Sequence, residues 1–137
     1  MRAMVAILAV ALAGPAWADE GPLAGSWTAV RAERDGAAAP ELVGHRLSFA
    51  GDRFEIAGPD GRPLYAGSWR GDAAADPARI DFVNDSGEAA GVTWEGIYRL
   101  DGGELTVVDD APDPTAPRPT RFAAGKGSGY VLVVFAR

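Results

Sequence analysis

Cysteine is absent from all 137 residues. That excludes a disulfide framework, a zinc-thiolate centre and a thiol nucleophile, so an apolar core must hold the fold alone. Histidine occurs once, at His45, which leaves no partner at fixed spacing for an imidazole metal site or a nucleophile-base pair. Basic charge is in deficit. Thirteen Lys and Arg stand against nineteen Asp and Glu, a net charge of −6 and a pI near 4.7. This argues against a partner that is a nucleic acid or an anionic lipid surface. The charges are scattered without long runs of one sign, as on a solvated surface. No stretch carries a helical hydrophobic period of useful length.

The longest apolar run is near the start. Arg2, then an apolar stretch from Met4 to Ala13, then Ala16-Trp17-Ala18 have the order of a secretory leader with a small-x-small cleavage site. A run of about ten residues is far short of the roughly 20 that span a bilayer. Residues 1–18 are therefore expected to be a signal peptide and 19–137 the mature domain, with a charge of −7 once Arg2 is lost (−6 − 1). With no cysteine after the leader there is nothing to acylate. The expected product is exported, periplasmic or extracellular, with no membrane association after cleavage.

Beyond the leader, short β-branched and aromatic runs alternate with Gly, Pro and Asp. Eight strands are predicted, at 26–34, 45–50, 53–57, 63–70, 79–84, 92–100, 104–109 and 130–136. Two hairpins can be tested for register. With Gly51-Asp52 as a two-residue turn, Phe49 faces Phe54, Leu47 faces Ile56 and Ser48 faces Glu55. One face is then apolar and the other polar, as paired strands require. With Asp101-Gly102 as a turn, Arg99 faces Glu104, Tyr98 faces Leu105 and Gly96 faces Val107. Tyr98, Leu105 and Val107 then share the inner face with Trp94.

In 63–70, Tyr65, Gly67 and Trp69 alternate inward, and in 79–84 so do Ile80 and Phe82. The last strand is apolar on both faces. Four prolines (112, 114, 117 and 119) make 110–120 an extended crossing loop, because proline lacks a ladder donor.

Short strands with close turns and no helix predict an all-β fold. The expected form is an eight-stranded antiparallel up-and-down barrel, which has no free edges; a β-sandwich is the alternative. In the barrel the last strand pairs with the first, which brings Arg137 beside Trp27. A guanidinium over the indole is the expected contact, with Gly25, Trp27 and Arg137 as the barrel floor.

Gly25-x-Trp27 at the head of the first strand resembles the opening motif of the lipocalin superfamily. Further stretches are similar to a family of small secreted bacterial lipocalin-like domains of unknown function, of the planctomycete type. They are Glu33-Arg34-Asp35-Gly36, Gly51-Asp52-Arg53-Phe54, Gly96-Ile97-Tyr98-x-Leu100-Asp101-Gly102, Arg118-Pro119-Thr120-x-Phe122, and the run from Gly127 to Val134. The resemblance covers about Leu23 to Arg137 and implies a lipocalin-like barrel in an exported protein. It transfers no catalytic residue, since the family has no established activity. Unlike true lipocalins, the chain lacks a T-D-Y signature, Thr106 being followed by Val107-Val108.

No catalytic, metal or cofactor site is expected. Asp109, Asp110 and Asp113 lack EF-hand spacing, and so does 81–88, where Val83 occupies a ligand position. The glycines at 125–129 miss the phosphate-loop pattern, with Thr120 and Gly127 at its defining positions. Asn84-Asp85-Ser86 is a chance glycosylation sequon. The interior is the serious candidate, with Phe49, Phe54, Tyr65, Trp69, Phe82, Trp94 and Tyr98 as the ligand cavity. It is expected opposite Trp27, between these aromatics and the loops 71–78 and 110–120. So many rings also suit a filled barrel, and a mouthed cavity of at least roughly 300 Å³ would decide for a ligand. The expected function is non-enzymatic binding of a small apolar or aromatic molecule. The alternative is a protein-interaction or protease-inhibitor-like barrel that uses loop 110–120 against an unknown partner.

Overall fold

A computed structural model describes residues 21–137; the leader expected at 1–18 lies outside the described residues. Eight strands close into one antiparallel barrel: β1 (Gly25–Arg34), β2 (Arg46–Ala50), β3 (Arg53–Ala57), β4 (Pro63–Asp72), β5 (Ala78–Gly87), β6 (Thr93–Asp101), β7 (Glu104–Asp109) and β8 (Val131–Ala136). Each strand pairs with the next in sequence, and β8 closes the ring on β1 from Val131 opposite Arg34 to Ala136 opposite Thr28. A two-residue strand, Ala37–Ala38, folds back on the end of β1. Helix among the described residues is limited to two single 3₁₀ turns, Gly21–Leu23 and Pro40–Leu42.

The β2–β3 hairpin has the register read from the sequence: Phe49 opposite Phe54, Ser48 opposite Glu55, Leu47 opposite Ile56. Gly51 sits at φ +61°, as the first central position of a II′ turn demands. The β6–β7 hairpin differs from expectation. Its turn is Gly102-Gly103, so Tyr98 faces Val107, Arg99 faces Thr106 and Gly96 faces Asp109. Gly102 has φ +63°, and putting glycine there spares Asp101 the strain of a left-handed conformation. The correction moves every partner by two residues. An even shift preserves faces, so Tyr98, Leu105 and Val107 still point inward.

One strand changes phase along its length. Opposite β8, Ala29 pairs with Phe135 and Arg31 with Val134, so Val30 is a bulge and is exposed. Without it, the alternation that buries Trp27 and Ala29 would carry Arg31 and Glu33 inside. With it, Ala32 turns inward, Arg34 reaches the inner end of the strand, and Arg31 and Glu33 form an outer ion pair at 3.2 Å.

The floor is sealed around Trp27. Its indole Nε1 donates to the Leu23 carbonyl at 3.0 Å. The Arg137 guanidinium carbon lies 4.0 Å from the ring centroid, a cation–π stack. Arg137 also donates to the carbonyl of Ala24 at 2.8 Å and to that of Pro22. Gly25 beneath it has φ +105°, which few other residues adopt.

A second apolar layer lies outside the barrel and explains why β8 is apolar on both faces. The 21 residues from 110 to 130 (130 − 109) leave and return at the same end and strap across the outer wall. Phe122, Ala124 and Tyr130 cover Ile97, Val108, Leu132 and Val134. Arg118 pins the strap, donating to the Gly96 carbonyl at 2.9 Å and reaching the buried Asp81 carboxylate at 2.8 Å. Asp81 is shared with Arg70, 3.0 Å away on β4.

Candidate functional site

Alternation along the strands sends the rings inward, and they form one continuous path through the barrel. Trp69 meets Phe49 edge-on at 4.8 Å between centroids, and Phe54 meets Phe82 at 5.0 Å. Phe82 lies 6.4 Å from Trp94, and Trp94 meets Tyr65 at 5.0 Å. The lower rings fill the half above the floor. At the upper end the path opens into a cavity of about 330 Å³, lined mainly by apolar side chains from all eight strands. It reaches the exposed side chains of Arg34 and Pro112, so it has a mouth.

The seven aromatic residues proposed from sequence therefore divide. Tyr65, Phe82 and Trp94 line the cavity. Phe49, Phe54, Trp69 and Tyr98 do not; they are packed beneath it as core. Trp69 donates to the Gly51 carbonyl at 2.9 Å, at the closed end. Tyr98 is held there too, where burial first and Asp72 second raise its phenol above the ordinary value. The cavity lies opposite Trp27, as expected, but loop 71–78 is not at its mouth. Asp72 pairs with Arg79 across that turn at the floor end, because β4 runs downward from Pro63. The start of loop 110–120 does border it, through Ala111 and Pro112.

Four polar side chains share this lining: Arg34, His45, Tyr65 and Asp109. His45, expected as the first residue of strand 45–50, precedes β2 and is partly buried at the rim. Its Nδ1 lies 3.0 Å from the Leu42 carbonyl. A carbonyl only accepts, so Nδ1 carries the proton and Nε2 of the neutral ring is an acceptor. Arg34 is tied to Glu41 on the loop above. Glu41 is held below the ordinary carboxylate range, first by a hydrogen bond from its own backbone and then by Arg34.

Asp109 is the residue that the sequence reading passed over as a site member. It ends β7, and Leu105 and Val107 already mark its parity as inward; that signal was present in the alternation. It is 8% exposed, and its Oδ1 accepts the Ala111 N–H at 3.0 Å. Burial pushes its carboxyl up to about 7, with the Ala111 N–H opposing and the neighbouring Asp110 adding to the rise. Gly96 makes room for it: a Cβ there would stand 2.5 Å from the Val108 carbonyl and 2.9 Å from the Asp109 Cβ.

The remaining polar motifs are spent locally. Asp110 points outward and accepts the Glu95 N–H at 2.9 Å; Asp113 accepts from Thr115. Among the described residues, no three His, Asp or Glu converge as a metal-ligand group. Asn84 of the sequon is 1% exposed and donates to the Val92 carbonyl, which removes it as a glycosylation acceptor. In the glycine-rich turn, Gly127 N–H is bound at 2.7 Å by the Asp35 carboxylate, filling the place a phosphate would take. Arg118 and Pro119 of loop 110–120 lie against the barrel, leaving 112–115 exposed.

These features define a closed eight-stranded antiparallel barrel with a sealed floor and an open, apolar upper end, an architecture consistent with a lipocalin-like fold. In comparisons with protein-family models, curated proteins and solved structures, none matches this chain.

Proposed function

We propose that the protein is an exported, non-enzymatic lipocalin-like barrel that binds a small apolar or aromatic molecule in the upper half of its interior. The observation that carries this reading is the mouthed cavity of about 330 Å³, walled by Tyr65, Phe82, Trp94, Val107, Val133 and Phe135. That volume falls at the small end of the roughly 300–1,000 Å³ range of ligand pockets. Binding would be driven by removing apolar ligand surface from water, with the Trp94 and Tyr65 rings offering edges and faces for stacking. The filled lower half sets the depth, so short or single-ring ligands fit better than long chains. The secretory leader and the resemblance to small secreted lipocalin-like domains support export.

The test is titration with the uncharged fluorescent probe N-phenyl-1-naphthylamine, read by energy transfer from tryptophan. Saturable binding is expected, and Val133→Phe, which fills the cavity from β8, should abolish it while leaving the unfolding transition in place. An absence of saturable binding, or equal binding by the filled variant, refutes the reading. Export is checked by the mass of the secreted product, expected to begin at Asp19.

A further inference from the structure

Within the apolar lining one polar group stands out by what it lacks. Asp109 is more than nine-tenths buried. Asp109 lines the cavity, and the Ala111 N–H on Oδ1 is the hydrogen bond the structure gives its carboxylate. A carboxylate set in an apolar wall with a single protein donor is poorly solvated, and a ligand that supplies a second donor offsets part of that cost.

The groups around it narrow what the donor is. The cation on the lining, Arg34, is already engaged by Glu41. His45 offers an acceptor at Nε2, since Nδ1–H is committed to Leu42. Tyr65 is the other titratable side chain of the wall. β3, β5, β6 and β8 add uncharged residues, such as Ile56, Phe82, Trp94 and Val131. Asp110 and Glu95 are the nearest outer acids, and the Arg118 guanidinium lies 4.0 Å from Glu95 outside the barrel. Carboxylate and imidazole acceptors in an apolar chamber favour a ligand rich in donors, and the net charge of −6 favours a cationic one.

We propose that the cavity takes an amphipathic amine, an apolar or aromatic body with a protonated amino head, with the ammonium seated on Asp109 Oδ2. This rests on the cavity-binding reading above and specifies its ligand class. Pairing with the ammonium holds Asp109 ionised, so amine affinity rises as pH climbs through neutrality, while an alkylammonium stays charged to about pH 10.

The experiment displaces N-phenyl-1-naphthylamine with 4-phenylbutylamine, 4-phenylbutan-1-ol and 4-phenylbutanoate at pH 5 and pH 8, in the wild type and in Asp109→Asn. At pH 8 the amine is expected to bind about tenfold more tightly than the alcohol, as a charge-assisted bond in a dry site should. At pH 5 that margin shrinks, and in Asp109→Asn the amine and the alcohol bind alike at both pH values. Equal affinity of amine and alcohol at pH 8, survival of the margin in Asp109→Asn, or tightest binding by the carboxylate would each overturn the amine assignment and leave the cavity reading standing. Failure of the wild type to bind the probe at either pH would instead remove the cavity reading, and the amine with it.

Discussion

The buried carboxyl at the end of β7 makes a stability prediction that needs no ligand. Asp109 ordinarily titrates at 3.8, and burial in the barrel wall pushes it up to about 7. A native carboxyl that holds its proton more tightly than the unfolded chain does stabilises the fold below 3.8 and loses that contribution as pH rises to about 7. At about 1.4 kcal/mol per pH unit across that window, the raised value costs the native state about 4 kcal/mol at pH 8, where the carboxyl is ionised, and about 1.5 kcal/mol at pH 5, where it must keep a proton the unfolded chain has released. Asn at this position keeps the shape and still accepts the Ala111 N–H, but it has no charge to desolvate. Asp109→Asn should therefore unfold at higher urea than the wild type, with an advantage that grows by about 2.5 kcal/mol between pH 5 and pH 8. Burial also raises Asp110, but that contribution is common to both proteins and cancels in the difference. Equilibrium urea unfolding at several pH values, followed by tryptophan fluorescence, measures it. An advantage that does not change with pH would show that Asp109 is hydrated and ionised throughout, and would refute the argument.

Two further substitutions test the wall and its strap. At Gly67 an added Cβ would stand 1.8 Å from the Val83 carbonyl, so Gly67→Ala should cost more than about 4 kcal/mol or abolish folding, whereas Gly125→Ala, with open space around it, should change stability by less than about 0.5 kcal/mol. Circular dichroism and urea melts distinguish these outcomes, and a tolerated Gly67→Ala would contradict the close approach of β4 and β5. Arg118→Ala removes the bond to Gly96 and half of the charge around Asp81, and should cost about 2 kcal/mol and open 110–130 to limited proteolysis. An unchanged digestion pattern would mean that the apolar contacts of Phe122 and Tyr130 hold the strap without it.

Closure, strand number and the inward rings were legible because they depend on local alternation and turn chemistry. Leu47, Phe49, Phe54 and Ile56 can share a face only in the register observed, with Gly51 at the turn. The pairing of the last strand with the first placed Arg137 near Trp27, and the guanidinium does lie over that ring. The β6–β7 turn was misplaced because both Asp101-Gly102 and Gly102-Gly103 suit a tight hairpin, and both leave the same residues inside.

What local pattern could not supply was height along the barrel axis. Phe49 and Trp94 both read as inward, yet one is core near the floor and the other is cavity wall, because depth depends on how all eight strands are staggered around the ring. The bulge at Val30 is likewise invisible in β1 alone; it exists because β8 has one residue fewer to pair, and it is what turns Arg34 toward the mouth. Asp109 followed the alternation of its own strand, but burial in an apolar chamber, which shifts its protonation, required the closed barrel around it. Sequence by itself determined which side chains face in, since a strand's period is set by its own backbone. Only the closed tertiary structure decided which of those side chains meet each other and which meet empty space.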